Sequence, residues 1–279
     1  MSLRNLPEVK NFKRPAGFQW DAPTDVMSKW AGMPLAAEAD DPATISIYEP
    51  IGEDIWGDGF TAKRTAAALR SIGKNPVTVK INSPGGDMFE GLAIYNLLRE
   101  HPAKVQVDVI GIAASAASII AMSGDQINMG LGSFMMIHNA WGMVIGNRHD
   151  MREAADLFDG FDAALADIYE ARTARSRKDI EKWMDAETFM SAREAVKNGF
   201  ADAVNEDLET PDANHSMDEA PAARRIEIML AKAGMGRNER RSLIGEVTGN
   251  PAVADRQSSA VASDTETAAI KRLIETLRS

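Results

Sequence analysis

Hydrophobic and polar positions change period several times along the chain, and each change marks an element. Residues 43–48, with Ile45, Ile47 and Tyr48 among small residues, predict a strand, followed by a Gly/Asp loop at 52–59. Residues 61–72 predict a helix, with Thr61 as its N-cap and Gly73 as its stop. A β-branched strand at 77–81 runs into Asn82-Ser83-Pro84-Gly85-Gly86, a strong turn signal. Residues 88–99 place Phe89, Leu92, Ala93 and Leu97 near helical spacing. Residues 105–110 predict a strand ended by Gly111, and 113–122 a helix of small residues buried on all sides. A final apolar strand at 133–137 leads to His138. Beyond it come a long helical stretch at 150–175, interrupted by Gly160, and shorter helices at 179–184 and 191–197. Asn198-Gly199 stops the last of these, and Ala203-Val204 closes the pattern. Strands alternating with helices predict an α/β fold with a mainly parallel sheet.

The two ends differ from this middle. Residues 1–42 form an N-terminal extension with Pro7, Pro15, Pro23 and Pro34 and no sustained period. Its Trp20 and Trp30 predict docking, because disordered tails rarely carry Trp. After the body at 43–205 comes an acidic, Pro-containing linker at 206–221. The tail at 222–279 predicts helices at 222–233, 238–247 and 267–277, with a Ser/Ala/Thr-rich flexible stretch at 249–265.

Composition narrows the chemistry. A chain of 279 residues, 44% of them hydrophobic, can bury a sizeable core. It has no cysteine, which excludes disulfides, thiolate metal sites and thiol nucleophiles. The formal charge of −10 argues against a nucleic-acid partner, since phosphates need a basic surface. No apolar run reaches the roughly 18 residues of a membrane span, and no secretory signal is evident. The expectation is a soluble intracellular protein that needs no membrane.

Three segments, each at the C-terminal end of a predicted strand, carry candidate chemistry, as that edge of an open α/β sheet usually does. The tandem glycines Gly85 and Gly86 let backbone N–H groups approach a ligand closely. In Gly111-Ile112-Ala113-Ala114-Ser115, a Ser stands at a strand-to-helix junction among small neighbours, with the mechanics of a nucleophile elbow. In Met135-Met136-Ile137-His138, an apolar strand delivers a His into a turn. The other histidines, at 101, 149 and 215, lie at a helix end, in a charged stretch and in the linker. Each segment alone has a bland explanation: a plain turn, a tightly packed helix, a satisfied core histidine.

In this order the three segments resemble the ClpP serine peptidase family. The wording INSPGGDMFEGLAIYNLL, GIAASAASIIAMSGD and MMIHNAWG is most similar to its phage and prophage head maturation (prohead) branch, over roughly residues 44–204. The resemblance implies a ClpP/crotonase-like fold with repeated β-β-α/β-α units, followed here by the helical tail. It makes Ser115 the nucleophile and His138 the general base, with the N–H groups of Gly86 and Ala116 as oxyanion donors. Gly85, Asp87, Met88 and Phe89 would lie along the substrate. The third triad member falls on Glu187 or Asp185. Alignment on Phe189 and Ser191-Ala192 favours Glu187, and a Glu can orient a His as an Asp does. Ser118 is the reserve nucleophile. The family's His-Gln-Pro becomes His138-Asn139-Ala140 here.

The resemblance implies no metal or organic cofactor. It implies a homo-oligomer, as a heptameric ring or stacked rings, built through the helix at 150–175. Substrates would be capsid, scaffold or portal proteins, met in the host bacterial cytoplasm or the prohead. The alternative is a non-catalytic capsid assembly or scaffolding protein on the same fold.

Overall fold

Strong local stop and start signals define the helices in the computed structural model. The structure describes residues 42–53, 59–142, 144 and 146–208. Outside these it describes Val26, Trp30, Ile226, Met229, Leu230, Ala233, Met235, Glu239, Arg240, Leu243 and Ile244. The elements in order are β1 (Thr44–Ile47), α1 (Ala62–Ile72), β2 (Val77–Ser83), α2 (Met88–Arg99), β3 (Val105–Ala114) and α3 (Ala116–Ala121). They continue with β4 (Gln126–Gly130), β5 (Phe134–Ile137), α4 (Arg148–Thr173), α5 (Arg177–Asp185), β6 (Thr188–Ser191), α6 (Ala192–Asn198) and β7 (Ala203–Asn205). Thr61 caps α1 by accepting the N–H of Arg64, as its sequence position predicts. Asn147 and Asp150 form a capping box at the start of α4, and Ser191 with Glu194 forms another on α6. Gly160 does not interrupt α4, because a helical glycine lowers helix propensity without removing a hydrogen bond.

The main path of the sheet runs β1-β2-β3-β4-β7, all parallel. The ten-residue β3 serves two neighbours. Gln106 to Val109 pair with β4, whereas Ile112 to Ala114 pair in parallel with β5. β6 then adds antiparallel to β5. Sequence reasoning ends this strand at Gly111 and begins a helix at 113; the structure continues the strand to Ala114. Gly111 is there for contact rather than termination. A Cβ on it would lie 2.5 Å from Oδ1 of Asn82. That same oxygen accepts the N–H of Ile112 (3.2 Å), beside an irregularity in the β2–β3 register. The strands β4 and β6 are not predicted by the sequence pattern. Both are short and carry polar residues, which hides their period.

Alternation along β3 and β5 buries both faces. Ala113 and Met135 face the main core, together with Val107, Val109, Ile119, Phe161 and Tyr169. Ile112, Ala114 and Met136 face the other way and pack with Val26 and Trp30. Trp30 is 2% exposed, and its Nε1–H donates to the carbonyl of Asn82 at 2.9 Å. The predicted docking of the N-terminal extension is therefore seen at Trp30; Trp20 lies outside the described residues. In the tail, Ile226, Leu230, Leu243 and Ile244 form a separate small apolar cluster. The described residues of the predicted helices at 222–233 and 238–247 include helical Ile226, Met229, Leu230, Glu239, Arg240, Leu243 and Ile244. The stretch 249–265 and the helix at 267–277 lie outside the described residues, as does most of the linker.

Candidate active site

Three parallel strands end at one edge. Ser83 of β2 pairs with Ala113 of β3, and Ala114 of β3 pairs with Met136 of β5. One step beyond the last β3–β5 pair, the N–H of Ser115 donates to the carbonyl of Met136 at 2.9 Å. This register brings the residue after β3 and the residue after β5 side by side. Ser115 Oγ lies 2.7 Å from Nε2 of His138, and both side chains are buried.

Ser115 has φ 55 and ψ −125, a conformation that L-residues rarely adopt. Such backbone costs of order 1–3 kcal/mol and persists only where the surroundings enforce it. Two things enforce it here. The carbonyl of Ser115 accepts the N–H groups of Ser118 (2.9 Å) and Ile119 (3.3 Å) and the hydroxyl of Ser118 (2.6 Å). The Ser118 hydroxyl in turn meets the hydroxyl of Tyr169 at 2.8 Å. Burial pushes the Tyr169 phenol well above its ordinary value, so it stays a donor. Ser118 is thus fully buried and bonded away from His138, and the structure gives no support to it as a reserve nucleophile.

The glycine loop closes over this turn. Gly85 has φ 86, and a Cβ on it would lie 2.5 Å from the carbonyl oxygen of Ala114 and 2.9 Å from the nitrogen of Ala116. Gly86 forms a parallel bridge with Ile51, in which Ile51 bonds the carbonyl of Gly85 and the N–H of Asp87. In that pattern the N–H of Gly86 itself faces the opposite side. Neither the Gly86 nor the Ala116 N–H has an acceptor among the described residues. Beside them, Met88, Ser115, Ala116, Ile119, His138 and Leu165 help line a small cleft that opens to solvent.

Asp87 and Phe89 are placed differently from the expectation. Asp87 is the N-cap of α2: its Oδ1 accepts the N–H groups of Phe89 (2.9 Å) and Glu90 (3.3 Å). Its own N–H is taken by the carbonyl of Ile51. Phe89 packs edge-on against Phe161 at 5.6 Å. Met88 lines the cleft, and Gly85 stands against Ala114, Ser115 and Ala116.

The two candidate carboxylates do not bond the imidazole. Asp185 is exposed, and its Oδ1 accepts from Nδ2 of Asn139 at 2.8 Å. Glu187 is also exposed, with φ 48 on the turn before β6. The β5–β6 ladder ends at the pair Ile137–Thr188, so His138 and Glu187 are the residues next to that last pair on the two strands. A third carboxylate escapes the sequence reading. Asp162 of α4 accepts the N–H of Ala140 at 2.6 Å. Burial pushes its carboxyl up to about 6; the Ala140 N–H opposes this, and the charges of Asp159 and Asp185 add to it. Nothing in the acidic pattern of α4 singles out Asp162, because the contact exists only once the turn after β5 folds against the helix. Among the described residues, no group of three or more His, Asp or Glu side chains is arranged to hold a metal ion. No described helix is long and apolar enough to cross a membrane.

A sequence model of the Clp protease family matches residues 42–207. The chain belongs to the Clp protease family. It is 35% identical over 130 residues to the ATP-dependent Clp protease proteolytic subunit of Deinococcus radiodurans, covering 46% of this chain and 64% of that one. It is 37% identical over 129 residues to the subunit of the same name from Pleurastrum terricola, covering 45% and 65%. The chain thus spans a little under two thirds of the length of these curated relatives. A ClpP1 mutant from Listeria monocytogenes shares the fold, with a TM-score of 0.52 and 22% identity over 61% of this chain and 94% of that one. The Clp fold therefore accounts for the α/β body and its mainly parallel sheet.

Proposed function

We propose that this chain is a serine endopeptidase acting through an acyl-enzyme. The 2.7 Å contact between Ser115 Oγ and His138 Nε2, on a strained turn beside two N–H groups with no acceptor among the described residues, carries the reading. His138 takes the proton as Ser115 Oγ attacks a peptide carbonyl. The resulting oxyanion is held by the N–H groups of Gly86 and Ala116, each donor being worth roughly 3–4 kcal/mol. His138 returns the proton to the leaving amine, and the same imidazole activates the water that hydrolyses the ester.

Glu187 is the orienting carboxylate in this reading, ahead of Asp185. Its place next to Thr188, whose pair with Ile137 ends the β5–β6 ladder just before His138, supports it, and a rotation of its side chain is what would bring the carboxylate to the ring. The reading includes a homo-oligomer, such as a heptameric ring. The exposed apolar residues Leu131 in the turn before β5, Phe134 on it, Trp141 in the loop after it and Met151 in the first turn of α4 support self-association. The wording INSPGGDMFEGLAIYNLL, GIAASAASIIAMSGD and MMIHNAWG supports head maturation, with capsid, scaffold or portal proteins as substrates. A non-catalytic assembly role would have no need of a strained Ser115 held against a histidine.

The test uses the purified full chain and a fluorophosphonate probe. Labelling at Ser115 that disappears in folded Ser115→Ala and His138→Ala proteins is expected. Mass spectrometry of the wild type against Ser115→Ala would also show any self-cleavage in the linker. Unlabelled wild type, or undiminished peptidase activity in Ser115→Ala, would overturn the assignment.

A further inference from the structure

We infer that Asp162 is a positioning residue for His138, acting through the backbone of the turn that follows it. The inference rests on the peptidase reading for its kinetic consequence, but its geometric content stands apart.

On its N-terminal side His138 is fixed by sheet. The β5–β6 ladder holds residues 134–137 on one edge, and the β3–β5 ladder holds 134–136 on the other. Past Ile137 the ladder stops, and the sheet no longer decides where the chain goes. The next residues are held by two carboxylates from two different helices. Asn139 donates from Nδ2 to Asp185 of α5 at 2.8 Å, and Ala140 donates its backbone N–H to Asp162 of α4 at 2.6 Å.

These two contacts are unequal. The Asn139–Asp185 bond joins two side chains and is exposed, so it is weakened by solvent and by side-chain freedom. The Ala140–Asp162 bond grips the main chain itself and is half-buried. It is a short charge-assisted bond, the stronger kind. Asp162 also sits one residue beyond Phe161, which is 1% exposed in the core against Phe89. Its anchor point is therefore rigid. The turn bearing the base is stitched to a rigid helix two residues beyond that base. Misplacing a catalytic group by about 1 Å can cost on the order of 10²-fold in rate, and support of this kind is what prevents it.

The experiment compares Asp162→Ala and Asp162→Asn with the wild type. Alanine removes the acceptor and is the best helix former, so α4 is expected to persist. Asparagine keeps a side-chain oxygen for the Ala140 N–H. Steady-state cleavage of a peptide substrate is expected to show kcat down about tenfold in Asp162→Ala with KM within about twofold. Asp162→Asn is expected to recover to within about threefold of the wild type. The second readout is the imidazole signals of His138 by NMR, which are tractable because the chain has four histidines. They are expected to shift or broaden in Asp162→Ala and to stay near their wild-type positions in Asp162→Asn. An unchanged kcat with unchanged His138 signals in Asp162→Ala overturns the inference. So does a folded Asp162→Asn protein that is as impaired as Asp162→Ala. If the wild type has no peptidase activity, the peptidase reading fails by itself, and the His138 signals still decide the positioning role.

Discussion

A Cβ placed on Gly85 would stand 2.7 Å from the Cβ of Ser115. Real Cβ contacts are essentially never that short, so the glycine loop reaches the serine turn only because residue 85 has no side chain. With φ 86, the position is also strained for any L-residue. Gly85→Ala is expected to displace the loop from Ala114 and Ala116. It should lower fluorophosphonate labelling of Ser115 about tenfold or more and destabilise the fold by about 1–3 kcal/mol. Urea melts and labelling rates check this, and a Gly85→Ala protein that is both stable and reactive would contradict it.

The backbone of Ser115 makes a separate prediction. Ala is normally preferred to Gly by about 0.5–1 kcal/mol in regular structure. At φ 55 and ψ −125 the order should reverse. Ser115→Gly is expected to be more stable than Ser115→Ala by about 1 kcal/mol, and both are expected to be inactive. Paired melting curves decide it.

The buried Tyr169 hydroxyl supports the Ser115 carbonyl through Ser118. Tyr169→Phe removes one buried partner from that chain of bonds. A loss of about 1 kcal/mol in stability is expected, along with a kcat reduced severalfold. Wild-type kcat in the Tyr169→Phe protein would show that the Ser115 turn keeps its conformation without the phenol.

Asp162 links the site to pH. Its folded pKa, about 6, lies above the ordinary carboxylate value of 3.8. A raised folded pKa means that the protonated form is favoured on folding. Its contribution to stability is fully present at low pH and is lost as pH rises through about 6. Asp162→Asn carries no charge and escapes that loss. Near pH 4 the two proteins should be almost equally stable. At about pH 7 and above the Asp162→Asn protein should be more stable by about 1–2 kcal/mol, discounted for the screening of a half-exposed group. Denaturant melts at the two pH values test this, and a pH-independent difference would rule it out.

Glu187 and Asp185 are separated by substitution that keeps their shape. Glu187→Gln is expected to lower kcat about tenfold more than Asp185→Asn does, since the orienting carboxylate fixes the tautomer of the base. Kinetics of the two variants on one peptide substrate decide it. The reverse order would move the orienting role to Asp185.

Ser115, His138 and the glycine pair are legible because each stands near the end of a patterned strand and because the order of the three segments resembles the ClpP family. An apolar run followed by Gly, Ser or His is a local signal. The helix caps Thr61 and Asn198-Gly199 are legible for the same reason. Asp87 is expected along the substrate only because the resemblance places the residues after the glycine loop there. In the fold its side chain is spent on the orphan N–H groups of α2. Gly111 reads as a stop because the strand partner that needs its missing side chain, Asn82, stands far earlier in the chain.

What the sequence alone determined, then, is most of the order of elements in the body, its α/β class and the three strand-end segments that carry Gly85-Gly86, Ser115 and His138. These follow from local periodicity and from residue chemistry. What only the tertiary structure decided is proximity: that β3 extends far enough to carry β5, that this register sets Ser115 against His138, and that Asp162 grips the turn beyond. Those relationships depend on strand register and helix packing between distant segments, and no local pattern in a single chain encodes such distances.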